Sequence, residues 1–344
     1  MKRALFAVAL TALAFAGTAS VQATGGSAAI DQLAITSDGM PRNLSDYGFF
    51  AGSPDRPNPA LIPYSVRNPL FSDYAEKARF ISLPEDAYLH VGPDGRVDFP
   101  VGTALIKSFA YRTDAGGLDT IETRVLLHRA DGWLALPYVW NEDRTDAVLK
   151  VAGARMDVVF DDPSGERHEI SYGVPNKNQC KQCHNRDGKL SPIGPVWPDM
   201  EFPREGDHER LKELASFPRN GLFATPRWDD PAEPIARRAG AYLQANCAHC
   251  HSRSGSASNS GLFYDERLGE YAVSGYLKRP VAAGRGSGSF DFIVDPGHPE
   301  RSILLYRMHS LDPGVAMPEI GRATAHREGL AVVTEWIAGL ETRN

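Results

Sequence analysis

Two five-residue stretches carry most of the chemistry open to this chain: Cys-Lys-Gln-Cys-His at 180–184 and Cys-Ala-His-Cys-His at 247–251. They hold all four cysteines of the 344 residues. Each sets two thiols one helical turn apart with an imidazole in the next position, the C-x-x-C-H attachment pattern of c-type haem. Such thiols can form thioethers to the two vinyl groups of one haem, and the histidine then offers a ring nitrogen to the iron. On this reading Cys180, Cys183, Cys247 and Cys250 hold two covalent haem c groups, with His184 and His251 as axial iron ligands. His249, inside the second motif, is left as a spacer expected to point away from the site.

Other uses of the cysteines stay open. Four thiolates could close a structural zinc site. The segment between the pairs is longer than the usual ribbon spacing, though, and zinc does not need the histidine after each pair. A redox dithiol of the thioredoxin kind wants a βαβ setting, which neither pair has. Disulfides within the pairs would close very short loops, which restrain the unfolded chain least.

A low-spin haem needs a second axial ligand, commonly methionine. For the second haem, Met317 in "GVAMPEIGR" is the candidate, with Met308 as a rival placed in a helical stripe. For the first haem, Met200 in "PVWPDMEFP" is the leading candidate and His208 its rival. His90, His128 or His168 could also reach in, or the iron could stay five-coordinate and open to small molecules. Lys107, in "FPVGTALIKSF", superficially resembles the lysine-bearing strand of the cytochrome P460 fold; an ordinary strand lysine is the alternative. Glu122, Arg124 and His128 on alternating strand positions read as a surface ladder rather than a catalytic set.

The elements that must position these groups are legible in outline. Lys2 and Arg3, the apolar run "ALFAVALTALAFAG" and the small-residue site ending at Ala23 read as a cleaved secretory signal peptide over residues 1–23. Residues 24–60 read as an irregular lead-in. Residues 61–175 hold many short β-branched and aromatic runs separated by Gly, Pro and Asp turns, the pattern of a β-sandwich or partly open barrel. Residues 176–228 carry the first motif and a short helix around "DHERLKELASF". Residues 229–344 read as helical with long loops. One helix runs into Cys247, another covers "HPERSILLYRMHS", and a last one stacks Leu330, Val333, Trp336, Ile337 and Leu340 on one face. The expected fold class is thus multidomain: a β-rich sandwich- or barrel-like N-terminal domain followed by a mostly α-helical cytochrome c region.

The bulk numbers exclude some partners. Removal of the signal peptide takes Lys2 and Arg3 from 37 basic residues, leaving 35 against 43 acidic ones. A net negative chain argues against nucleic acid. No later segment is long and apolar enough for a membrane span in the mature protein.

Two resemblances sharpen the reading. Residues 230–344 resemble class I cytochrome c: a helix with Gly240 and Tyr242 enters the haem motif, a Met-Pro loop follows, and an amphipathic helix with Trp336 closes. That resemblance implies packing of first helix on last and a methionine ligand at Met317; the long Gly/Ser insertion at 252–300 departs from it. Over residues 42–344, "NPLFSDYAEKARFISLP", "FPVGTALIKSFAY", "ETRVLL" and "YVWNEDRTDA" together with two haem motifs resemble an exported bacterial di-haem c-type cytochrome family of unassigned reaction. The expectation is a periplasmic electron carrier with two haem c groups and periplasmic redox partner proteins. The alternative is a haem-dependent oxidoreductase with an open first haem and substrate bound at the β-rich domain.

Overall fold

The computed structural model describes residues 29–264 and 274–341. The signal peptide expected over residues 1–23 lies outside them. The centre is a six-stranded antiparallel sheet in the order Ile62–Pro63, Glu76–Ser82, Ala104–Arg112, Leu118–Arg129, Gly132–Trp140, Ala147–Leu149. It is a single open sheet rather than a closed barrel or a pair of matched sheets. A separate hairpin, Ala154–Asp161 with Arg167–Val174, accompanies it.

Strand alternation sends Ile106, Val125, Leu127, Leu136 and Tyr138 to one face. That face is covered by the segment expected to be an irregular lead-in. Helix α1 (Gln32–Thr36), capped by the Asp31 carboxylate, and a 3₁₀ turn at Leu44–Tyr47 bury Ile35, Leu44, Tyr47 and Phe49 there. Tyr47 stacks on Phe49 at 5.0 Å and its hydroxyl meets that of Tyr138 at 3.0 Å. The opposite face carries two further apolar clusters. One gathers Ile81, Leu105, Phe99 and Met200; the other gathers Phe109, Tyr111, Phe160 and Tyr172.

The C-terminal region is not mostly α-helical, which corrects the expected fold class. After α2 (Lys177–Cys183) and α3 (Asp207–Glu213), the described part of residues 229–341 holds three α-helices: α4 (Ile235–Cys247), α5 (Ile303–His309) and α6 (Arg327–Ala338). Between them lie short 3₁₀ turns at Ser258–Ser260, Gly284–Ser287 and Pro299–Arg301 and irregular chain. The Gly-, Ser- and Pro-rich composition of those stretches offers no apolar stripe with which a helix could pack.

The helices that do form are the ones with stripes. Ala239, Tyr242 and Leu243 of α4 pack with Val332, Val333, Trp336 and Ile337 of α6. At their crossing the Tyr242 ring fills the space a side chain at position 329 would need, so glycine stands there. The sheet and the helices are stitched together at one loop. The buried Asp73 carboxylate accepts hydrogen bonds from the backbone of Ala323 and Thr324 and from the Thr324 hydroxyl, at 2.7–2.9 Å. Nearby, Tyr74 donates to Glu328, and the Phe71 amide to Asn246 Oδ1 one residue before the second motif.

Candidate haem or metal centre

Both motifs fold the same way. In the first, α2 begins with an Asn176/Gln179 capping box and ends at Cys183, and the His184 amide donates to the Cys180 carbonyl at 2.9 Å. In the second, α4 ends at Cys247 and the His251 amide donates to the Cys247 carbonyl at 2.8 Å. One turn thus carries both thiols, with the imidazole-bearing residue closing it through its backbone amide.

The two turns abut. The sulfurs of Cys183 and Cys250 and a ring nitrogen of His249 all lie within 4.8 Å of one another. The Cys183 and Cys250 sulfurs act on each other directly; that contact pushes Cys183 up and holds Cys250 low, with His249 and Ser256 adding to the latter. Burial raises Cys180, and pushes Cys247 up to about 12. Among the described residues the trio Cys183, His249 and Cys250 is the group with metal-ligand spacing, and Cys180 and Cys247 stand outside it. The four-thiolate zinc arrangement is therefore not assembled. His249, expected to point away, instead faces the centre, with its buried Nδ1 lacking any hydrogen-bond partner.

One cavity of about 980 Å³ unites the site, at the upper end of the roughly 300–1,000 Å³ common for small-molecule pockets. It is lined by both cysteine pairs, His184, His251, Met308 and Met317. Each motif histidine has one nitrogen committed behind it: His184 Nδ1 to the Ser191 carbonyl at 3.1 Å, and His251 Nδ1 to Ser260 Oγ at 3.1 Å. Ser260 donates its own proton to the Ala257 carbonyl, so it accepts from His251. These bonds fix the tautomer with Nδ1 protonated and Nε2 free, the arrangement metal-binding histidines adopt. Burial keeps both rings neutral; it pushes His184 down to about 4 against the opposing pull of the Ser191 carbonyl.

The Met317 loop is held by arginines. Met317 donates its amide to the Arg307 carbonyl at 3.0 Å, and Arg322 donates to the carbonyls of Met317, Arg307 and Ser310. Asp73 grips the next two residues, so the sheet side of the molecule also positions this loop.

The sequence-derived candidates for the first sixth ligand lie elsewhere. Met200 is buried in an apolar cluster, in a two-residue strand paired with Ser65–Val66. His208 is half exposed beside Glu209 and against Trp197. His128 stacks on Trp133 at 4.5 Å and bonds the Phe99 carbonyl, His90 bonds Ser216, and His168 bonds Asp162. None of the five lines the shared cavity. Their surroundings satisfy them where they stand, and local spacing could not reveal that.

The expected surface ladder is also different in kind. Glu122 is fully buried, grips Arg124 through two hydrogen bonds of 2.6 and 2.8 Å, and accepts from the Tyr172 hydroxyl at 2.7 Å. Arg124, Lys107 and Arg79 all reach the cavity. The signal for this was present: Lys107 interrupts the apolar run "ALIKSFAY", where a charge must be buried or face a cavity.

The residues fit haem c on three grounds: thiol pairs on one turn, imidazoles with Nε2 free, and a cavity that joins them to a methionine. Scans of protein-family models, of curated proteins and of solved structures gave no match to this chain.

Proposed function

We propose that the chain is an exported, periplasmic di-haem c-type cytochrome that passes electrons to and from periplasmic redox partner proteins. The observation that carries this is the joining of both C-x-x-C-H turns, with their histidines pinned through Nδ1, on one cavity. Cys180 and Cys183 would hold one haem and Cys247 and Cys250 the other, with His184 and His251 as proximal ligands and Met317 as the second ligand on the C-terminal side. The haems supply reversible one-electron chemistry when bound. The chain's own residues do the rest. Ser191 and Ser260 orient the imidazoles and burial keeps them neutral. Arg322 and Asp73 hold the Met317 loop in place. The contact of Cys183 with Cys250 sets two attachment points side by side, a short path for electrons between them. The packing of α4 on α6 further supports the resemblance to cytochrome c in that part of the chain.

A second reading, a haem-dependent oxidoreductase, is favoured by the placement of Met200 and His208 away from the cavity. That placement supports an open first iron facing a space large enough for a substrate. Ferrous protein exposed to carbon monoxide separates the two. Two low-spin haems inert to the gas are expected of a pure carrier; ready binding by one haem argues for catalysis.

A further inference from the structure

The sheet presents a row of three basic side chains to the cavity, and burial holds the middle one, Lys107, well below the ordinary lysine range. In the antiparallel register Arg79 stands directly opposite Lys107, and Lys107 directly opposite Arg124. Like charges in directly opposed positions repel, and burial sharpens the penalty. Only Arg124 has an answering carboxylate, Glu122. Among the described residues, neither the Arg79 nor the Lys107 side chain has a hydrogen bond or an ion pair. The nearest thing is the Phe109 ring, 4.8 Å below Lys107 Nζ and 4.3 Å from the Arg124 guanidinium. Of the other carboxylates lining the cavity, Asp94 pairs with Arg96 and Arg186, Asp199 bonds Thr225, and Glu319 acts on Arg307 in the Met317 loop. The other face of the same strands is apolar and covered by the segment before the sheet, so the row has no second face to solvent.

We infer that Arg79 and Lys107, flanked by Arg124, form a carboxylate-binding site on the wall of the cavity that both cysteine turns line. A guanidinium fork beside an ammonium suits a carboxylate, with two directed bonds from arginine and a point charge from lysine. The carboxylate can belong to a haem propionate or to a small free acid that enters the cavity. The first source rests on the haem reading; the second does not.

Both sources are tested on the purified full chain, with Arg79→Met, Lys107→Met and the double variant beside the wild type. Arg112→Gln, on an exposed pair with Glu76, is the control. In the first arm, succinate is titrated calorimetrically. A free-acid site predicts saturable binding that weakens about tenfold or more in each Met variant, since a charge-assisted bond is lost, and is unchanged in the control. In the second arm, resonance Raman propionate bands and the midpoint potentials are recorded. A propionate site predicts no succinate binding, with shifted propionate bands and a shifted potential of one haem in the Met variants. If the Met variants do not accumulate, Arg79→Lys and Lys107→Arg are read the same way, with weakened binding or shifted bands expected from the altered fork. Protein that carries no haem still decides the succinate arm, so loss of the haem reading and loss of this one are told apart. No succinate binding together with unmoved bands and potentials overturns the site. So does a Met variant that is merely more stable, with both readouts unmoved.

Discussion

The sulfur of Cys183 lies beside the sulfur of Cys250 from the other motif, and with a ring nitrogen of His249 the two fall within 4.8 Å of one another. Thiols this close can be oxidised to a bridge once geometry allows. Protein made in a host unable to attach haem c is therefore expected to form a Cys183–Cys250 disulfide under mild diamide treatment. Peptide mapping reads the linkage. Recovery of only Cys180–Cys183 and Cys247–Cys250 pairs would contradict the arrangement, and haem-loaded protein should show no bridge at all.

Among the described residues, the fully buried Glu122 is the carboxylate paired with the partly buried Arg124. Glu122→Gln leaves that guanidinium uncompensated and is expected to cost about 1–3 kcal/mol in urea denaturation. The double variant Glu122→Gln, Arg124→Met removes the orphaned charge as well and should regain much of the loss. Equal stabilities of the single variant and the wild type would show that the pair does not hold the inner sheet face.

Gly329 is required by the ring of Tyr242. Gly329→Ala is expected to push α6 off α4 and cost about 1–3 kcal/mol, the usual range for an overpacked core. Tyr242→Leu in the same chain should relieve part of it. A Gly329→Ala variant as stable as the wild type, or more so, would mean the helices do not cross as closely as this.

His326 links the sheet side to the helices: it stacks on Phe71 at 4.3 Å and bonds the Tyr242 hydroxyl at 3.1 Å. Burial pushes it down to about 4 from the ordinary 6.5, against the pull of Glu328. As pH falls the unfolded chain takes up this proton first, so the contribution is complete above about 6.5 and lost as pH falls toward about 4. Its size over that window is on the order of 3 kcal/mol. His326→Gln should flatten the rise of stability with pH between those limits. Parallel slopes for variant and wild type would remove His326 as the cause.

How far the sequence carries the account differs from residue to residue. Thiol spacing and the histidine that follows are local chemistry, and α4 and α6 announce themselves through periodic apolar stripes. Burial of Ile35, Tyr47 and Phe49 was not legible, because a lead-in without periodicity gives no hint of the sheet face waiting for it. Met200 and His208 follow the first motif closely in sequence, yet strand pairing and an apolar cluster hold Met200 away from the cavity. The row Arg79, Lys107 and Arg124 exists only through the register of three strands, which no single segment encodes. Composition did carry one overlooked message: a Gly/Ser/Pro-rich stretch as long as 252–300 cannot make a region mostly helical.

On the proposed function each cysteine turn carries one covalent haem. Full-length protein from a host competent in haem c maturation is weighed intact and assayed as its pyridine haemochrome. A mass increase of two haems per chain is expected, with two haem equivalents by absorbance and one remaining when Cys180 and Cys183 are both changed to Ala. Protein without a Soret band that holds zinc at the Cys183, His249 and Cys250 group would contradict it.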